Sequence, residues 1–399
     1  MKLRTALIIG GGIIGLSTAY HLARRSYGRI ILLEKDQIGD GSSRRAAGIS
    51  TGLLWSEAGV KARKVSLQLF REFSREFSNY TYHNTEGCLN LFSAELWQGR
   101  KELLPLYDRL GAPYQVLAAA DISRLWSDFH PQENYIGLHD PLGGYSEPPE
   151  YIAALARRVR ELGVEIHEHA KVTGFLRSGQ QVTGVHVDGN TLMADAVVCT
   201  AHVWTLPVLE PLPLQLPVKH FVHQRYLSKS GPRPWRFPPV NADVFGGYVR
   251  PAYGNRLLLG VETALREEWR VTSTDFHMSE LRTPPGLREE TVKRFQEFIP
   301  ALREQSWESE EVGLISFSMD GEPVLGPVAA MPGLLVGLAF HSGGFSYNPV
   351  AGLLLAEYVS EGRTSIDVSG FSPDRFTARQ TEAYLQTTLK QHQAVRRRH

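Results

Sequence analysis

Near the start of the chain Gly10-Gly11-Gly12-Ile13-Ile14-Gly15 fits G-x-G-x-x-G, and an acid, Glu34, lies 19 residues past Gly15. Glycines in that pattern with a carboxylate about 20 residues further on are the parts of a phosphate and ribose site. Gly10 permits a tight turn, Gly12 lets a pyrophosphate approach the backbone without a clashing Cβ, and Gly15 lets helix and strand pack closely. Free N–H groups and the positive end of the following helix attract the phosphate. A carboxylate at position 34 accepts hydrogen bonds from ribose hydroxyls and repels a 2′-phosphate. The chemistry implied is dinucleotide binding, and the motif alone does not separate NAD from FAD.

The elements that must position these groups are legible around them. Thr5–Ile9 is apolar without polar alternation, as a parallel strand buried on both faces requires. Ile13, Leu16, Tyr20 and Ala23 recur at helical spacing behind the glycines, and a second strand, Arg29–Glu34, ends on the acid. Lys2 and Arg4 before an apolar run imitate a secretory signal, but the glycines cut that run short, so it reads as a first strand. Val65, Leu69, Phe73 and Phe77 at i+4 spacing predict one helix face packed in the core. Tyr248–Pro251 and Leu257–Val261 around the turn 252–256 predict a hairpin. Gly343-Gly344 ahead of an apolar helix (Val350, Leu353, Leu354, Ala356) is a second N–H-rich helix start, suited to another polar edge of a ligand.

Composition narrows the class. The chain has 399 residues, 43 Lys+Arg against 42 Asp+Glu, and two cysteines. Near-neutrality argues against a chain-wide nucleic-acid or anionic-membrane footprint. Two cysteines exclude a disulfide scaffold and a four-cysteine metal site, so no metal is expected. No apolar run approaches the length of a membrane span. The expectation is a cytoplasmic globular protein.

After Glu34-Lys35, Gly41-Ser42-Ser43-Arg44-Arg45-Ala46-Ala47-Gly48 resembles the segment that wraps FAD in the D-amino-acid oxidase-like superfamily, with its glycine oxidases, sarcosine oxidases and dimethylglycine dehydrogenases. Further segments resemble the family in order: Gly143–Pro148, Ala194–Trp204, Met319–Pro327, His341–Gly352 and Phe371–Phe376. The resemblance implies an α/β fold, a Rossmann-type FAD-binding domain interleaved with a second α+β substrate domain on a mainly antiparallel sheet. Its FAD domain would combine residues 1–84, 149–214 and 311–375; its substrate domain, 85–148 and 215–310. A C-terminal helix and basic tail (Arg396–His399) would fill 376–399. The last family motif falls near the end of the chain, so no folate-binding domain is expected.

The resemblance implies FAD contacts from Gly10, Gly12, Ile13, Ile14, Gly15, Glu34 and Lys35; from Ser42, Ser43, Arg45, Ala46, Ala47 and Gly48; from Val172, Ala201 and Trp204; and from Gly343, Gly344, Phe345 and Ser346. Arg45 stands where dimethylglycine dehydrogenases attach flavin through histidine, and Gly313 about where sarcosine oxidases attach it through cysteine. Neither can form the link, so noncovalent FAD is expected. Leu258 stands in place of the sarcosine oxidase lysine that helps oxygen accept electrons, which points to slow oxygen use. Ser342 and Ser346 replace the family's two carboxylate anchors, an arginine and a lysine. His202 replaces a glycine.

Three residues are expected to act on the substrate. Tyr248 matches a substrate-site tyrosine of glycine and sarcosine oxidases. Arg250 has the geometry to pair bidentately with a carboxylate. His341, beside the glycine loop, titrates near neutrality and suits an orienting group or a base. For each the competing reading is structural: a strand tyrosine, a surface arginine, a packed histidine. His223, in a strand resembling the dimethylglycine dehydrogenase branch, is equally open. The function implied is oxidation of a C–N bond of a secondary or tertiary amine or amino acid, with hydride passed to flavin N5 and the imine hydrolysed. Oxygen or another acceptor would take the electrons. The alternatives are a catalytic subunit that hands electrons to a dehydrogenase partner and a flavin-binding protein without amine turnover; a homo-oligomer is compatible with each.

Overall fold

The computed structural model describes residues 4–261, 268–283 and 285–387. The basic tail Arg396–His399 lies outside them.

The glycine motif sits where expected, between the strand Thr5–Ile9 and the helix Ile13–Arg24. Thr5–Ile9 is central in a six-stranded sheet ordered Val324–Pro327, Leu334–Leu338, Ala196–Cys199, Thr5–Ile9, Arg29–Leu33, Glu165–His167. All neighbours pair in parallel except Val324–Pro327. The unbroken apolar strands have a direct cause. Ala6, Ile8, Ile30, Leu32 and Val198 pack against helices on one face. Leu7, Ile9, Ile31, Leu33, Val197 and Cys199 face a three-stranded antiparallel sheet, Val172–Ser178, Gln181–Val187 and Asn190–Met193, on the other.

The second sheet has eight strands: Trp307–Ser318, Val218–Ser228, Arg256–Val261, Gly247–Ala252, Val240–Ala242, Cys88–Ser93, Tyr135–Asp140 and Gln115–Ala118. Pairing is antiparallel save between Val240–Ala242 and Cys88–Ser93. Period-2 alternation sorts its faces: Val240, Ala242 and Val249 join the core with Phe295 and Phe298, while Asn241 and Tyr248 face the opposite way into a cavity. The strand Trp307–Ser318 runs across the boundary expected at 310/311, because it pairs along its whole length with Val218–Ser228.

The helix around Val65 spans Glu57–Glu76, capped by Ser56, whose hydroxyl accepts from the Gly59 N–H. The expected series packs on the core, Phe73 and Phe77 within it and Val65 and Leu69 against it, but the fully buried stripe is wider. Val60, Arg63, Ser66, Leu67, Phe70 and Phe73 are buried, and Val65 and Leu69 are only half-buried. The added residues are buried because the helix packs against a long helix, Gly344–Glu361, with its Arg63 directed inward.

Candidate active site

One large cavity runs between the two sheets. Of the residues expected to hold the cofactor, all but Gly15, Gly343 and Ser346 line it.

At one end is the glycine motif. Gly10 adopts φ +104°, a conformation open chiefly to glycine. A Cβ on Gly12 would come within 3.0 Å of the Ser43 hydroxyl, closing the cradle from inside. The helix Ile13–Arg24 starts on Gly12 with no acid in its first turn, the Ile13 N–H donating to the neutral Ser43 hydroxyl (3.1 Å), so no protein charge opposes its positive end. Gly15 has a packing role only: its Cβ would fall 2.0 Å from the Gly10 carbonyl oxygen. Glu34 has one carboxylate oxygen on the Gly11 N–H (2.7 Å) and the other on the Asp36 N–H (2.8 Å), so it braces the loop while facing the cavity. Burial raises its pKa, partly countered by those two bonds.

Midway along the cavity Arg45 faces Gly313, whose Cβ would sit 3.1 Å from the arginine's Cδ. The two positions where the resemblance would put a covalent link therefore meet, and an arginine and a glycine occupy them. Nη1 of Arg45 donates to the carbonyls of Asp40 and Gly41. His202, at φ +49°, places Nε2 3.0 Å from the Leu314 carbonyl and Nδ1 3.3 Å from the Ser316 hydroxyl, which lies 2.8 Å from Nδ1 of buried His220. The side chain that replaces a glycine thus ties the loop after Ala196–Cys199 to the strand Trp307–Ser318. Burial lowers the pKa of both imidazoles, that of His220 to about 3.

At the far end Tyr248 and His341 line the cavity and Arg250 does not. The Tyr248 hydroxyl lies 3.1 Å from His223 Nε2 and 3.4 Å from the Gln224 carbonyl. It reaches them by lying across Gly260, whose Cβ would be 2.5 Å from the hydroxyl. Burial raises its pKa. His341 is buried at φ +44°, with Nδ1 accepting from the Gly343 N–H at 3.2 Å and the Trp55 ring 5.0 Å away. That bond assigns the neutral ring's proton to Nε2. Ala339, two residues earlier, is also left-handed (φ +57°), so the approach to the glycine turn is strained.

Arg250 corrects the expectation of a surface arginine or a substrate anchor. It is 0% exposed and bidentate with Glu147 (2.8 and 2.9 Å). Its Nε donates to the Ala47 carbonyl at 2.6 Å, and its guanidinium lies over the Tyr145 ring. It couples the hairpin to the cofactor-wrapping segment and to the helix start at Pro148. Ser346 likewise turns away from the cavity, its hydroxyl accepting from Arg63. Leu258 is buried outside the cavity.

The sequence reading missed Asn241, Asp243 and Arg63. The first two stand beside apolar residues of a short strand, and that alternation was the available signal. Asn241 donates to Asn90, and Asp243 lies 3.7 Å from Arg100. Arg63 stands three residues from Val60 and seven from Phe70, inside the apolar stripe of its helix.

A family model described as FAD dependent oxidoreductase (DAO) matches residues 5–358. A 4-methylaminobutanoate oxidase (formaldehyde-forming) of Paenarthrobacter nicotinovorans is 26% identical, covering 96% of this chain and 47% of that protein. A sarcosine oxidase subunit beta of Arthrobacter sp is 26% identical, covering 93% of this chain and 90% of that one. The structure of L-proline dehydrogenase from P. horikoshii superposes with a TM-score of 0.85 at 23% identity, covering 94% of this chain and 98% of that one, and shows the shared fold. The chain spans about half the length of the first curated relatives it matches.

Proposed function

Because the chain belongs to the family of FAD-dependent oxidoreductases, we propose that its cavity binds FAD noncovalently and oxidises the C–N bond of a small secondary or tertiary amine or amino acid. The observation that carries this reading is the cavity itself, which joins an acid-free helix start at Gly12 to Tyr248 on the second sheet and His341 in the turn after Leu334–Leu338. Gly10, Gly12 and Glu34 hold the dinucleotide end, and the Gly344 turn holds the other. FAD, when bound, supplies a hydride acceptor at flavin N5.

The chain's own contribution is placement and proton control. Tyr248 orients the substrate: His223 and the Gln224 carbonyl fix its hydroxyl, and burial keeps it protonated. His341 lines the cavity with Nδ1 engaged by the Gly343 N–H, which suits an orienting group more than a base. Arg225, on the cavity wall, is engaged by Glu311 (3.1 Å) and by the Ala46 carbonyl (2.9 Å). With Arg250 on Glu147 and serines at 342 and 346, substrate recognition rests on hydrogen bonding more than on ion pairing.

The test is an anaerobic screen of N-methyl and cyclic amines and their carboxylated analogues against the FAD-loaded chain, following loss of visible flavin absorbance. Bleaching by members of one class supports the reading; an unbleached flavin across the screen refutes it. A second reading, a catalytic subunit that passes electrons to a partner, is favoured by coverage of 90% of a sarcosine oxidase subunit beta. Reduction of dyes but not of oxygen by the bleached chain favours it; fast reoxidation by air counts against it.

A further inference from the structure

Arg63 is a charge in an unexpected place. It is 1% exposed, in the middle of the helix Glu57–Glu76. Among the described residues no carboxylate comes within ion-pair distance of it. Nη1 donates to the Thr51 carbonyl (3.3 Å) and to the Ser346 hydroxyl. Its guanidinium carbon sits 4.1 Å from the centre of the Tyr347 ring. Nε and Nη2 have no hydrogen-bond acceptor among the described residues. Burying a cation with open donors is costly and is sustained where something compensates the charge. Arginine does not escape by losing its proton.

Nη2 points at one place. A Cβ on Gly343 would lie 2.0 Å from it, so the guanidinium fills the space a side chain would take at that residue. The neighbours of Gly343, Ser342 and Gly344, both line the cavity. One turn of glycine backbone therefore separates the open donors of Arg63 from the end of the cavity opposite Glu34. The helix Gly344–Glu361 starts there with no side-chain cap and no acid in its first turn, adding its positive end to the same spot.

We propose that Arg63 is a positioning residue that sets the redox balance of the site: across the Gly343–Gly344 turn, its charge favours the electron-rich reduced form of the cofactor over the oxidised form. This rests on the reading of the cavity as an FAD site. The physical basis is general. Reduction adds electron density to the isoalloxazine, and a fixed cation in a poorly screened interior stabilises the more negative partner of a redox pair. The charge absent at Ser346 and Ser342 is thereby supplied from a different helix, one layer behind the loop.

The experiment compares wild type, Arg63→Met, Arg63→Lys and Gly343→Ala as full chains loaded with FAD. The two-electron midpoint potential is measured by anaerobic equilibration with reference dyes, and sulfite adduct formation is titrated in parallel. No amine is used, so a chain that binds FAD but oxidises no amine still tests the proposal. A wild type that takes up no FAD overturns both the proposal and the cofactor reading. Arg63→Met is expected to shift the reduced-to-oxidised ratio at least tenfold toward oxidised, about 30 mV for a two-electron couple, and to weaken sulfite binding about tenfold. Arg63→Lys is expected to stay within threefold of wild type, which a purely structural role for the arginine's shape would not predict. A flavin-loaded Arg63→Met with unchanged potential overturns the proposal. Should that variant not retain FAD, Gly343→Ala decides: its methyl displaces Nη2, and an unchanged potential there overturns the proposal as well.

Discussion

Replacing Arg250 by methionine separates two roles that the same residue type would play. If the side chain were a substrate anchor, the loss would appear in KM with little cost in stability. The structure places it instead in a buried bidentate pair with Glu147, 0% and 14% exposed at the side chains. Removing one partner of such a pair strands the other charge and costs about 3–5 kcal/mol. For 399 residues that is about 4–6 °C in Tm. Burial alone would raise the Glu147 pKa, but the charge and hydrogen bonds of Arg250, with the Tyr253 N–H, bring it below the ordinary value. A carboxyl with a depressed folded pKa stabilises the fold above its unfolded pKa, and that stability is lost as pH falls through the folded pKa. In Arg250→Met the Glu147 pKa should rise, so the stability gap to wild type should narrow as the medium is acidified and the stranded charge is protonated. Glu147→Gln in the Arg250→Met background should recover part of the loss, a coupling that a double-mutant cycle reads directly. The assay is denaturant unfolding at several pH values, with KM measured on whichever amine bleaches the flavin. A variant with wild-type stability and a KM raised tenfold or more would refute the reasoning.

Four further outcomes are expected. Gly15→Ala puts a methyl 2.0 Å from the Gly10 carbonyl, so the apoprotein should lose affinity for FAD at least tenfold, read by flavin fluorescence quenching. Tyr248→Phe should leave Tm within about 1 °C and lower kcat/KM by about 10–100-fold, about 1.4–2.7 kcal/mol of transition-state stabilisation; an unchanged kcat/KM removes Tyr248 from the site. Acid precipitation should release all yellow colour to the supernatant, and colour in the washed pellet would contradict noncovalent binding. His220 stays neutral in the folded chain to about pH 3, whereas the unfolded chain binds its proton near 6.5. Stability should therefore fall between pH 6.5 and 4, by up to about 1.4 kcal/mol per unit from this residue, and His220→Asn should flatten that slope in denaturant titrations.

Legibility differed sharply between the two ends of the cavity. The dinucleotide end depends on contiguous residues. Strand, glycine turn, helix and acid lie within 30 residues, and each has a local physical requirement: φ +104° at Gly10, no Cβ at Gly12 and Gly15, apolar residues on both faces of Thr5–Ile9. The substrate end is assembled from strands distant in sequence, and there a residue's type said little about its partner. Arg250 has the chemistry of a carboxylate anchor, and nothing local shows that Glu147, 103 residues away, already holds it. Nothing local at His202 shows that its ring bonds run to Leu314 and Ser316. Arg63 carried a faint signal, a charge inside an apolar stripe, which reads as a solvated position until the neighbouring helix is in place.

The sequence by itself determined the cofactor class, the family and the parallel sheet, because these follow from short-range backbone geometry and from motifs that recur in order. Only the tertiary structure decided which charges remain available in the cavity. A guanidinium or imidazole has several hydrogen-bonding valences, and whether they are consumed depends on chain segments that meet only on folding. Folding turned Arg250 and Ser346 away from the cavity, left Tyr248 and His341 lining it, and brought Arg63 up behind the glycine turn.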